Sequence, residues 1–306
     1  MDKARTAAPI EQARKLLEHA IAIDPGYAAA HAGLARAWND LAVFSTLPIK
    51  DALPRVRAEA TRALALDPRN VAALVQLGNA DEADGNLGKA KVEYEQALAL
   101  DPSNAGAHSG YANVLPLKPG LEQYQQAVQL DPDNAGAQNN LATAELDLGE
   151  YAQALAPFHV MLQLDPHSAD SAFELAMTDA LLHRDTDAVS AFDLAEPDTE
   201  LARALVASGR LTYQSVHDPA LRQQALATIQ ALRRRQDLDQ YSMYDIIQLY
   251  LALGENKIAL DLLPHNCAAL PVGCNDLSVN PLFVSLRGDA RFQALIKQYD
   301  TVSKPQ

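Results

Sequence analysis

Cysteine is almost absent from this chain of 306 residues, and aromatic side chains supply only 6% of it. So few β-formers argue against a β-sandwich, whereas abundant Ala and Leu suit closely packed helix pairs. Positive charge is also scarce: 25 Lys and Arg stand against 39 Asp and Glu, a net charge of −14 that opposes the counterion release on which nucleic-acid binding depends. No direct nucleic-acid contact by this chain is expected. No apolar run approaches the roughly 18 residues of a membrane span, and Met1 to Pro9 lacks the apolar core of a signal peptide, so no membrane insertion is expected.

Signatures of catalysis are missing too. There is no Gly-x-Ser-x-Gly elbow, no His-Glu-x-x-His helix and no cysteine nucleophile motif. Gly85-Asn86-Leu87-Gly88-Lys89-Ala90 has the wrong glycine spacing for a phosphate loop and offers Ala90 where a hydroxyl is needed. The eight histidines, at 19, 31, 108, 159, 167, 183, 217 and 265, never pair at metal-ligand spacing beside a carboxylate. His31 and His108 recur at one repeat position, which packing explains. The acidic pairs read as helix-surface charges. The chain is therefore expected to be no enzyme, with no catalytic residues, no metal and no cofactor.

What is present is punctuation. Asp-Pro recurs at Asp24-Pro25, Asp67-Pro68, Asp101-Pro102, Asp131-Pro132 and Asp165-Pro166, separated by 43, 34, 30 and 34 residues. Upstream of each proline stand small, bulky and small residues at constant offsets: Ala13/Leu17/Ala20, Val56/Ala60/Ala63, Ala90/Tyr94/Ala97, Gly120/Tyr124/Ala127 and Ala154/Phe158/Met161. Spacings of four and three put each trio on one helix face, where the small residues admit a neighbouring helix and the bulky one fills the groove beside it. Proline stops the helix, and Ser103-Asn104, Asp133-Asn134 and Ser168 are placed to cap the next. Gly78 marks close packing and Gly149 a turn. The unit ending at Pro132 is four residues short after Tyr111-Ala112-Asn113-Val114-Leu115, and the unit ending at Pro68 is nine long around Phe44 to Pro48; both changes are expected in the turns between paired helices.

This pattern resembles the tetratricopeptide repeat, with Leu74, Leu77, Gly78, Ala90, Tyr94, Ala97 and Pro102 at its signature positions. The resemblance implies an all-α fold, a right-handed superhelix of antiparallel helix pairs. About seven pairs are expected over 1–264, irregular after 197. The pattern continues through Ala188/Phe192/Ala195 and loosens into helices near 199–215, 219–235, 240–253 and 255–263. Residues 265–306 read as a loop holding Cys267 and Cys274 and then a C-terminal capping helix of the same domain, with 301–306 frayed. The start in a second-type helix at Pro9 reads as an array cut on its N-terminal side.

A narrower resemblance covers nearly the whole chain. It rests on Ala20 to Ala28 with Ala30 to Ala35, Leu47-Pro48 before Ala52-Leu53-Pro54-Arg55, Ser242-Met243-Tyr244-Asp245-Ile246, and Leu286 to Leu295. These stretches look like the repeat region that follows the membrane anchor in bacterial winged-helix regulators of the acid-stress activator type and in some bacterial Ser/Thr kinases and adenylate cyclases. The resemblance implies a sensory or docking module, periplasmic and membrane-anchored in the full-length protein, whose output domain lies outside this chain. A free-standing cytoplasmic scaffold is the alternative, and a sensor of a small cationic metabolite a third. In tetratricopeptide arrays the first helix of each pair lines a concave groove, which nominates Arg36, Asn39, Asn79, Glu82, Asn113 and Asn139 for binding a protein or peptide partner. Cys267 and Cys274 are either a disulfide, in an oxidising compartment, or two thiols.

Overall fold

The structure, a computed structural model, describes residues 3–44, 47–269, 274 and 276–300. The expected fraying of 301–306 and the Ser45-Thr46 part of the long insertion lie outside the described residues. Every regular element among the described residues is helical, and the chain divides into two compact units, 1–140 and 141–306.

Unit 1 holds α1 (Lys3–Ile23), α2 (Ala28–Phe44), α3 (Ile49–Leu66), α4 (Val71–Ala83), α5 (Leu87–Leu100), α6 (Ala105–Asn113), α7 (Leu117–Leu130) and the start of α8 (Ala135–Asp147). The Asp-Pro punctuation works as a built turn. The Asp24, Asp67, Asp101 and Asp165 carboxylates each accept from the backbone N–H two residues on. Asn70, Asn104 and Asn134 then cap α4, α6 and α8 by accepting from the N–H three residues later. In three of these turns the side chain six residues after the proline ties down the proline carbonyl: His31 to Pro25, His108 to Pro102 and Gln138 to Pro132. His31 and His108 also reach the following helix, at Glu59 and Gln123. Their shared position thus stitches a turn to its own pair.

The small–bulky–small trios are buried in α3 and α5, where Val56, Ala60, Ala63, Ala90, Tyr94 and Ala97 are all 0% exposed. Ala13, in α1, is exposed instead, because α1 packs against α2 alone. Pro9 lies within α1, which opens at Lys3 rather than at the proline. The length changes fall mainly inside helices and not in the turns. α6 has 9 residues where α4 has 13, so the four missing residues are one full turn of that helix. α2 and α3, at 17 and 18 residues, each exceed α4 and α5, at 13 and 14, by one turn. Whole-turn changes keep the buried face in register, which a change of one or two residues would not.

Unit 2 continues with the rest of α8, α9 (Tyr151–Leu164), α10 (Ala169–Leu181), α11 (Asp185–Ala191), α12 (Glu200–His217), α13 (Arg222–Arg233), α14 (Gln240–Ala252), α15 (Asn256–Ala269), a 3-10 turn at Pro281–Leu286 and α16 (Ala290–Tyr299). One apolar core runs through it, from Ala142 to Leu295. The Ala188/Phe192/Ala195 pattern overstates α11, which ends at Ala191 before Glu196-Pro197; Phe192 still enters the core, edge-on to Phe173 at 5.1 Å. α15 runs past Pro264 to Ala269, so Cys267 is helical rather than in a loop. Leu260, Leu263 and Cys267 keep burying the same face and outweigh the bond that proline forfeits. Four of the turns inside pairs use a left-handed residue, Gly85, Gly149 and Gly254 in three of them and His183 at φ 57° in the fourth.

Candidate functional site

The first helices α2, α4 and α6 stack side by side in unit 1, and the nominated residues lie along them. Three of the six are brought together. Tyr94 on α5 donates its hydroxyl toward Asn79 Oδ1 at 2.8 Å and Glu82 Oε2 at 2.9 Å; Asn113 Nδ2 donates to Glu82 Oε1 at 2.9 Å, and Tyr124 donates to Asn113 Oδ1 at 2.7 Å. One hydroxyl hydrogen cannot serve two acceptors. Both contacts are satisfied when the Asn79 amide turns its Nδ2 to Tyr94, or when Glu82 carries a proton. Burial raises the Glu82 pKa against the lowering effect of its two hydrogen bonds. Asn79 and Glu82 therefore hold Tyr94 in place, and Asn113 is the exposed end of the network. Arg36 is exposed, beside Asp40 at 3.4 Å, Asn39 is half-buried, and Asn139 is exposed near the start of α8.

Behind this face, Tyr94 is wedged between two glycines. A Cβ added at Gly78 would lie 2.6 Å from its ring and one at Gly110 2.3 Å. A second polar set went unrecognised in the sequence: Arg57 bridges Asp81 at 2.8 Å and Asp84 at 2.7 Å. Burial acts to raise Asp81, but its bonds to Arg57 and Asn86 hold it below the usual carboxylate range. Burial beside Asp81 pushes Glu93 up to about 7. The lone tryptophan, Trp38, is stacked between Arg14, at 4.8 Å, and Arg55, at 4.3 Å.

Unit 2 corrects the reading of acidic pairs as surface charges. Asp170 and Glu174, one turn apart on α10, meet Tyr244, Asp245 and Gln248 of α14, with Tyr213 of α12 and Asp276 alongside. Gln248 Nε2 donates to Glu174 Oε1 at 3.3 Å across 74 residues of sequence. Asp245, Gln248 and Asp276 are buried, while Asp170 and Glu174 keep partial access to solvent. Asp170 shares a hydrogen bond with Asp245. Burial, with Asp276 and Asp300 nearby, pushes Asp147 up to about 8; burial, with Asp170 and Asp276 nearby, pushes Glu174 up to about 7 against the bond from Gln248. Asp245 is driven well above the carboxylate range by burial and by Asp170 and Glu174, and Asp170 and Asp276 are raised by burial. The signal was in the sequence as one-face spacing: 170/174 on one helix, 241/244/245/248 on another.

Cys267 and Cys274 are both fully buried and joined, with Cα atoms 5.5 Å apart, against a core that includes Leu277 and Phe283. Among the described residues, no three His, Cys, Asp or Glu side chains are arranged to hold a metal ion, and no helix is long and apolar enough to cross a membrane.

Two tetratricopeptide-repeat families match the sequence, one over residues 71–104 and another over 123–156. No curated protein matches it. Among solved structures, PilF of Pseudomonas aeruginosa superposes with a TM-score of 0.53 at 20% identity, over 71% of this chain and 95% of its own. A tetratricopeptide-repeat protein of Parabacteroides merdae gives the same TM-score at 16% identity, over 87% of this chain and 97% of its own. At such identities the likeness is one of fold. With its Asp-Pro turns, buried small–bulky–small trios and two matched repeats, the chain carries tetratricopeptide repeats within an all-α fold.

Proposed function

We propose that this chain is a non-catalytic interaction or sensory module that binds a polypeptide along the first-helix face, and that it forms the extracytoplasmic part of a larger bacterial transcriptional regulator or signalling kinase. The observation that carries the binding role is the polar ladder on successive first helices, where Glu82 of α4 and Asn113 of α6 sit one repeat apart and in contact. Amides that both donate and accept suit the backbone of an extended peptide, and Arg36, Asn113 and Asn139 are exposed to meet one. The extracytoplasmic reading is supported by the buried Cys267–Cys274 bond, since such bonds persist in oxidising compartments.

Fractionating native cells and blotting for this chain tests the larger-regulator reading. The expected band is membrane-associated and well above 33.0 kDa; a soluble band near that mass would support the cytoplasmic scaffold instead. The compartment has its own test. Intact cells treated with a membrane-permeant maleimide are expected to leave both cysteines unlabelled until reductant is added, and free thiols in untreated cells would count against a periplasmic location. The bond also carries a stability prediction: closing so short a loop contributes about 2–3 kcal/mol in the chain-entropy picture, so Cys267→Ser with Cys274→Ser should lower the urea midpoint by that equivalent. An unchanged midpoint would mean that the bond does not form in solution.

A further inference from the structure

The carboxylate pocket of unit 2 is built from parts that lack a partner. Gln248 is 2% exposed and Asp245 3%, yet Gln248 Oε1 and Asp245 Oδ2 accept no hydrogen bond in the folded chain. The Gln248 amide is held at the cluster through its nitrogen, which donates to Glu174, and its oxygen is left without a donor. Among the described residues, no lysine or arginine forms an ion pair with Asp147, Asp170, Glu174, Asp245 or Asp276. Orphaned acceptors among carboxylates that no lysine or arginine side chain neutralises are costly at such depth unless something arrives to meet them.

We propose that this pocket receives the cationic side chain, a lysine ammonium or arginine guanidinium, of the polypeptide bound by the array; the inference rests on the peptide-binding reading above. An ammonium brings three donors and no acceptor, and a guanidinium five. The pocket offers the complement: amide and carboxylate oxygens from Gln248, Asp245, Glu174 and Asp170, with the Tyr213 and Tyr244 phenols near the same carboxylates. Asp170 and Glu174 keep enough solvent access for a long side chain to enter, and the buried members lie beyond them. Arrival of the cation lets carboxylates that burial holds protonated release their protons, so part of the desolvation cost is offset by a charge-assisted bond.

The test is titration of the full chain at pH 8 and moderate salt with three probes: hexalysine, hexalysine acetylated at every side-chain nitrogen, and n-butylamine. Hexalysine should bind at least about tenfold more tightly than the acetylated peptide, the loss expected when one charge-assisted contact of about 1.4 kcal/mol is removed. Glu174→Gln with Asp245→Asn should abolish that difference without lowering Tm, and Gln248→Leu should reduce it. Because the chain is acidic throughout, Glu122→Gln with Asp187→Asn serves as an equal charge change elsewhere and should leave the difference intact. Equal binding of the two peptides, or equal loss from both double variants, would overturn the cation pocket while leaving peptide binding standing. Binding of n-butylamine with neither peptide bound would overturn the peptide-binding reading itself, and the proposal with it. No binding of any probe would overturn the proposal.

Discussion

Replacing Tyr94 by alanine is expected to cost unit 1 about 3–5 kcal/mol, and adding Gly110→Ala to that variant is expected to give some of it back. The ring is 0% exposed, and its hydroxyl is held by Asn79 and Glu82, so its removal opens a cavity and strands two polar groups together. In the intact protein the same Gly110→Ala change is harmful. Its Cβ would sit 2.3 Å from a ring that cannot retreat, because Gly78 receives the ring from the other helix at 2.6 Å. Overpacking of this kind costs about 1–3 kcal/mol, against the roughly 1 kcal/mol that alanine gains over glycine inside a helix. With the ring gone, only the helical gain and the filled space remain, and the substitution changes sign. Urea unfolding followed by the fluorescence of Trp38, the lone tryptophan and a member of unit 1, reads that sign directly. Independent, additive effects of the two substitutions would show that the ring does not lie between these helices.

How much of this could be read beforehand depends on the range of the interaction. The Asp-Pro turns, the Asn104, Asn134 and Ser168 caps and the Ala90/Tyr94/Ala97 face are local, and each follows from residues within one turn of each other. Gly78 was legible as close packing for the same reason. Helix ends were less so: a missing segment of four residues looks like a shortened turn, whereas the array removes one turn of α6 to hold its buried face in register. Pro264 looked like a stop because proline is a strong local signal, yet burial of Leu263 and Cys267 carries α15 through it. Least legible was the pocket of unit 2. Asp170/Glu174 and Tyr244/Asp245/Gln248 each read as the polar side of a helix, and nothing within either segment says that the two sides converge. The nomination of six polar residues on first helices could not tell that Asn79 and Glu82 are engaged by Tyr94 while Arg36 and Asn139 are exposed.

Acidification is expected to stabilise unit 2, in contrast to the usual acid sensitivity of paired carboxylates. In the folded chain burial pushes Asp147 up to about 8 and Glu174 and Glu145 up to about 7, and drives Asp245 well above the usual carboxylate range, against about 4 in an unfolded chain. The folded state therefore binds more protons than the unfolded state between those limits, and stability falls as pH rises through the folded pKa values. Moving from pH 8 to pH 5.5 should restore it. Independent, fully buried groups would each gain more than 1 kcal/mol per pH unit, about 1.36 by linkage. Asp147 and Glu174 are partly solvated, and Asp147, Glu174 and Asp245 share acidic neighbours in Asp170 and Asp276, so a gain on the order of 3 kcal/mol for the set is expected. For a unit of this size that raises Tm by roughly 6–12 °C. The side-chain charges facing the cluster are mostly acidic, Asp239 on the α14 side and Asp276 and Asp300 toward α16, and act in the same direction; the chain's N-terminal charge opposes them at Asp170, which burial still holds raised. Glu174→Gln with Asp245→Asn should remove much of the slope and stabilise the protein at pH 8. A Tm that falls on acidification over this range, or a slope unchanged in that variant, would show that these carboxylates are ionised and solvated in the folded chain. Proton uptake on folding, measured at pH 7 by calorimetry in buffers of different ionisation enthalpy, gives the same answer without any substitution, since only a cluster that folds protonated takes up protons there.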